Sequence, residues 1–321
     1  MSYGQVTIHK KVALSLVELI VSLVILLIIS APLIATLRVS TNKMLLYTEY
    51  LKAQTRISRV EALLKAPVFY CGLGMPVSAS KYKQSFGNQK YEPFRWEGPI
   101  SISRGKSTFD HSALSISYAR PGNARLTQIA QSDTSEGDVN LHIPPDLNDI
   151  GIVFSNNSPD LRNWVFFPTS IPPSLPFCIM GLGDREMAIK NGMGRSFSIS
   201  KGDRVHHLRA MTIYAYNDSL YINDFHAPGA QPRVKGILDV RFDVETKKRI
   251  VKVYILARGD RVYETFHEIK GKEKWPDEYI RPWIEKGSRY QLYASKIVWP
   301  LPNLIGSDLI CEEFANTTEQ F

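Results

Sequence analysis

Residues 12–37, VALSLVELIVSLVILLIISAPLIATL, form an apolar run broken by one charge, Glu18. From Leu14 to Thr36 there are 23 residues. At about 1.5 Å of helical rise each they reach roughly 35 Å, enough to cross a bilayer core. The run exceeds the apolar core of a cleaved secretory signal, about 7–15 residues. Lys10 and Lys11 precede it and favour a cytoplasmic N-terminus, with the C-terminal bulk outside. A carboxylate inside such a run is expensive: insertion scales charge about 2.5–3.5 kcal/mol for Asp at a helix centre, less near an interface. Glu18 therefore calls for a partner.

Ala13-Leu14-Ser15-Leu16-Val17-Glu18-Leu19, after the basic leader HKKVA, resembles the processing motif of type IV pilins and type II secretion pseudopilins. In that family a prepilin peptidase cuts after a small residue at the end of the leader, and the new N-terminus is methylated. A Glu at the fifth mature position is the family hallmark. The resemblance implies a cut between Ala13 and Leu14, N-methylation of Leu14 and an assembly carboxylate at Glu18. Ala13 stands where Gly is usual and Leu14 where Phe is usual. The family role of Glu18 is to attract the N-terminal amine of a neighbouring subunit. At 4 Å in an effective dielectric near 20 such a pair is worth about 4 kcal/mol before desolvation.

The segment 38–66 has no Gly or Pro. Leu46, Tyr50, Ala53, Ile57, Val60 and Leu64 recur at spacings of three and four, the stripe of an amphipathic helix. Pro67 is the expected stop and Pro32 an expected kink or local melt. The expected fold is α+β: a long N-terminal α-helix, with a membrane half and an amphipathic half, packed on an antiparallel β-sheet-rich domain. The segments are a leader (1–13), the membrane and assembly half of the helix (14–37), the amphipathic half (38–66) and a β-rich extracytoplasmic headpiece (67–321).

Within the headpiece, strand-like runs are Ala113–Ala119, Gly151–Phe154, Trp164–Phe167, Ser196–Ser200, Met211–Tyr216, Ser219–Ile222, Ile237–Val244, Ile250–Leu256 and Leu292–Trp299. Asn217-Asp218 reads as a hairpin turn. Sections 72–110, 120–149 and 224–234, rich in Gly, Pro, Ser and Asn, read as loops. The order of segments also resembles the larger PilW-type minor pilins. The matching segments are FYCG after the helix, HSALSISYAR, MTIYAYNDSLYI, VKGILDVRFDVE, IVKVYILARGD and SRYQLYASKIVWPLPN.

Cys71, Cys178 and Cys311 all follow the apolar run, where a disulfide is permitted. One bond in three pairings is open, and so are three free thiols; Cys71–Cys178 is favoured because Cys311 lies in the tail CEEFANTTEQF. No Cys/His pair has zinc spacing, so no metal is expected. Adjacent His206 and His207 would point to opposite faces of a strand, and a loop reading is preferred for them. Gly181–Asp184 and Gly192–Gly194 are short turns without a dinucleotide fingerprint. Asp239 and Asp243 form no recognisable dyad, so neither catalysis nor a cofactor is expected.

The net charge is +8, or +6 once Lys10 and Lys11 leave with the leader. Basic residues cluster in TKKRIVK (246–252) and KGKEK (270–274), near Tyr263, Phe266, Trp275 and Tyr279. A solvated basic face is the first reading, and contact with nucleic acid or anionic lipid the second.

The resemblance implies a structural minor pilin that primes a type IV pilus at or near its tip. Its partners would be the prepilin peptidase/methyltransferase, other minor and major pilins, and inner-membrane lipid before assembly. A type II secretion pseudopilin shares the same N-terminal motif. A membrane-anchored extracytoplasmic enzyme or binding protein is the reading from another class, and it requires an uncut N-terminus.

Overall fold

The computed structural model describes residues 15–86, 91–103, 112–142, 161–173, 175–227 and 229–304. The chain divides into two compact units, one ending at Glu49 and one beginning at Tyr50. Helix α1, Leu16–Phe69, supplies the first unit's described structure and opens the second. It stays helical through Pro32, and the Thr36 hydroxyl donates to the Pro32 carbonyl at 2.8 Å. Pro67 does not end it. In the last turn a proline forfeits one hydrogen bond without interrupting turns beyond it. The helix stops at Phe69, whose carbonyl accepts from Asn303 Nδ2 at 2.7 Å, and Gly72 turns the chain away at φ +77°. A side chain at Gly72 would also collide with Leu304.

The α+β expectation holds. In the second unit α1 buries Ala53, Ile57, Val60, Leu64 and Val68. They share a core with two sheets. One sheet is the antiparallel trio β12 (Ile237–Glu245), β13 (Ile250–Val262) and β14 (Tyr290–Pro300), which contributes Val240, Phe242, Val253 and Ile255. The other has nine strands among the described residues. It is built on two long partners, β2 (Ala113–Leu126) and β9 (Arg204–Tyr216), paired from Leu114↔Ile213 to Arg125↔Arg204.

These two strands serve two neighbourhoods. Near the helix they join β1 (Ile100–Ser103), β10 (Ser219–Asp224) and β11 (Ala230–Lys235). At their other ends they join β4 (Glu136–His142), β7 (Glu186–Asn191), β6 (Pro176–Leu182) and β5 (Trp164–Phe166). Because β2 also pairs with β9, the pairing β2-β4-β7-β6-β5-β9 returns to its start and closes a ring. The apolar cluster of Leu126, Val139, Leu141, Val165, Phe177, Ile189 and Val205 is assembled from these six strands. The pair β3 (Ala130–Ser132) and β8 (Phe197–Ile199) adds Ala130, Phe197 and Ile199 to the same cluster. Closure removes sheet edges that would otherwise invite pairing.

The Asn217-Asp218 hairpin is present: both residues have positive φ (44° and 60°) between the paired ends Tyr216 and Ser219. Three stretches expected to be loops carry secondary structure. Residues 72–110 contain helix α2 (Ala79–Phe86) and β1; 120–149 contain the end of β2 with β3 and β4; 224–234 contain most of β11. Pro121-Gly122-Asn123 and Pro232 sit where strand register shifts, the positions at which a sheet tolerates proline. The run Gly151–Phe154 lies outside the described residues. Helix α3, Asp277–Lys286, seats Ile280 in a smaller apolar cluster with Tyr254, Leu256, Trp275 and Leu292.

Candidate functional site

Ala13 and Leu14 lie outside the described residues; the site begins at Ser15. Ser15 is the residue before the first helical turn. Its backbone N–H donates to Glu18 Oε2 at 2.9 Å, and its hydroxyl accepts from the Glu18 N–H at 3.2 Å. This reciprocal arrangement, Ser-x-x-Glu, is a capping box and satisfies two backbone donors that the first turn leaves open. The acidic group also sits at the positive end of the helix dipole. Among the described residues no cation pairs with Glu18, and its Oε1 takes no hydrogen bond.

Beyond the cap the helix exposes fifteen large apolar side chains between Leu16 and Leu37. At 100° per residue they occupy every face, so this stretch has no side suited to water. It is long and apolar enough to cross a membrane. Its hydroxyls are satisfied internally: Ser22 donates to Leu19 O at 3.1 Å and Ser30 to Leu27 O at 3.0 Å. Glu18 is therefore the span's one group able to recognise a charge.

The remaining candidates resolve into structural roles. The Cys71–Cys178 bond does not form. Cys71 is buried in the core under α1 and its thiol donates to Pro99 O at 3.3 Å. Cys178 is buried in a separate cluster with Phe86, Phe94 and Trp164. Burial pushes both thiols up, Cys178 to about 11, which leaves them protonated and inert. Cys311 lies outside the described residues.

Asp239, fully buried, accepts from Arg241 Nε and Trp283 Nε1, both at 3.0 Å, while Asp243 lies 3.8 Å from Lys252. The two carboxylates thus serve different neighbours. No cluster of three metal-ligating side chains occurs among the described residues. His206 and His207 lie on β9 rather than in a loop, and their side chains leave opposite faces of it.

The basic segments are largely spoken for. Lys248 and Lys252 both engage Glu245, whose carboxyl is held near 2 by those two ammoniums. Lys272 pairs with Glu268 at 2.6 Å, and Lys270 lies over the Tyr50 ring at 4.1 Å. Such partners weaken the case for a free basic face.

Ser15, the other half of this cap, is not among the residues that the sequence pattern alone singles out. The signal is nonetheless present: Ser followed three residues later by Glu at the head of an apolar run. Comparison of the chain with family models, with curated proteins and with solved structures finds no match. Function is therefore read from these residues alone.

Proposed function

We propose that this chain is a pilin-like assembly subunit, a minor pilin that helps prime a type IV pilus at or near its tip. The observation that carries the reading is the N-terminal helix. It is apolar on every face, bears one carboxylate in its first turn, and leads into an α+β headpiece. In a simple anchor the carboxylate would serve only to cap the helix, whereas a subunit packing beside identical or related helices has a second use for it.

In this reading a prepilin peptidase removes residues 1–13 and methylates Leu14. The span rests in the inner membrane, with the headpiece outside, until the subunit joins a filament. The carboxylate then meets the Leu14 amine of a neighbouring subunit. The capping bond uses only Oε2, and a carboxylate has about four acceptor sites, so Oε1 is left for that amine.

Mass spectrometry of the mature N-terminus from membranes tests this directly. The expected chain begins at Leu14 and carries one added methyl group. A chain retaining Met1–Ala13 in cells with an active prepilin peptidase overturns the reading and favours a plain membrane anchor.

A further inference from the structure

The same face of β2, β9 and β10 changes character along its length. On β2 it reads Leu114, Ile116, Tyr118, Arg120; on β9 Ile213, Met211, Arg209, His207, Val205; on β10 Leu220, Ile222, Asp224. The first residues of each belong to the core beneath α1. Val205 belongs to the core of the closed ring. Between the two cores runs a polar belt of Tyr118, Arg120, His207, Arg209 and Asp224, with His226 following β10. Register ties the belt together: Tyr118 faces Arg209, and Arg120 faces His207.

The belt is poorly matched to itself. Arg120 and Arg209 sit diagonally on neighbouring strands, where like charges repel. Neither guanidinium has a hydrogen bond or ion pair among the described residues, although Arg209 is half-buried. The His207 Nδ1 is buried without a partner. The His226 side chain is 6% exposed; its Nδ1 lies 3.5 Å from the Asp224 carboxylate, a contact that helps hold that carboxyl down, and its Nε2 lacks a hydrogen bond. Asp224 is partly occupied, accepting from the His226 N–H at 3.0 Å. Burial and the surrounding cations hold His207 neutral, down at about 4. The fixed charges are then two guanidiniums against one carboxylate. Buried ring nitrogens left open, as on His207 and His226, cost free energy, and a protein interior rarely keeps several together.

We propose that Arg120, Arg209, His207 and His226 form a binding site for one compact oxyanion of the phosphate or sulfate type. Such an anion offsets the surplus positive charge and accepts from the open donors, with an arginine fork suited to its paired oxygens. Tyr118 closes one side and Asp224 orients His226. The site lies in the headpiece and does not depend on processing at Ala13.

The test uses the full chain in detergent, titrated with sodium phosphate or sodium sulfate against sodium chloride at matched ionic strength. A saturable rise in Tm with either oxyanion, absent with chloride, is expected. Arg209→Gln should abolish the rise. Arg120→Gln, an exposed position that leaves folding intact, should weaken apparent affinity about tenfold or more. Lys247→Gln, outside the belt, should change nothing. Equal responses to oxyanion and chloride, or an unchanged response in Arg120→Gln, overturn the site.

Discussion

Ser15 and Glu18 cap one another: each backbone N–H donates to the other's side chain, at 2.9 and 3.2 Å. Glu18 therefore has a local duty in addition to the one proposed between subunits, and substitutions separate the two. Glu18→Gln keeps an acceptor for the Ser15 N–H but removes the charge. Ser15→Ala keeps the charge but loses half the cap, at about 1 kcal/mol of helix stability. Filament counts by electron microscopy should fall sharply for Glu18→Gln and Glu18→Ala, and little for Ser15→Ala, while membrane fractionation stays normal for all three. Normal filaments with Glu18→Gln would reduce Glu18 to a cap.

The buried stripe of α1 predicts a sharp contrast between adjacent leucines. Leu64 is 0% exposed in the core shared with both sheets, whereas Leu63 is 40% exposed. Leu64→Ala should cost about 2–5 kcal/mol and Leu63→Ala under about 1 kcal/mol. Urea unfolding followed by tryptophan fluorescence reads the difference. Equal losses would mean the helix presents another face to the sheet.

Legibility in the sequence followed physical period. The α1 stripe and strands such as Met211–Tyr216 and Ile250–Leu256 were readable because one face of each is buried, which writes alternation or 3.6-residue spacing into the chain. The far half of β2 was not, because Pro121 and Gly122 speak locally for a loop while the bulge and pairing to β9 override them. The missing disulfide shows the same limit. Spacing put no bar on Cys71–Cys178, but their burial in different clusters is decided by topology. Glu18 stood out by composition alone; its cap required noticing Ser15, and the belt around Arg209 required strand register.

Asp239 supplies a prediction about the three-stranded sheet. It is a buried carboxylate that accepts from Arg241 and from Trp283 of α3. Removing it takes one buried acceptor away from the Arg241 guanidinium and from the Trp283 indole N–H. Breaking a buried charge pair on one side costs about 3–5 kcal/mol. Asp239→Ala should lower stability by that order in a denaturant titration, and Trp283→Phe by less, since only a neutral donor is lost. A near-neutral Asp239→Ala would show that the pair is dispensable.

The free cysteines predict a thiol pattern. Cys71 and Cys178 are buried, with raised thiol pKa values, so neither offers a thiolate at neutral pH. Iodoacetamide at pH 8 should leave both unmodified in the folded chain and alkylate both in guanidinium without reductant. Peptide mapping that finds Cys71 linked to Cys178 would contradict the separation of their clusters.

His207 predicts a pH dependence whose sign is fixed by its environment. Burial first, then Arg209, His206, Arg120 and His226, lower it from 6.5 to about 4. Between those values the unfolded chain binds a proton that the folded chain refuses. Stability is complete above about pH 6.5 and falls as the pH drops toward 4, by at most about 3 kcal/mol. His206, also lowered by burial, acts in the same direction. The depressed carboxyls of Asp260 and Asp224 retain their contributions until the pH falls below the ordinary aspartate value, so they leave this window to the histidines. Thermal melts at pH 7 and pH 5 should therefore show a lower Tm at pH 5. His207→Gln should reduce that difference while leaving a residue due to His206. An unchanged difference in His207→Gln would mean that the imidazole is charged at neutral pH or solvated enough to titrate normally.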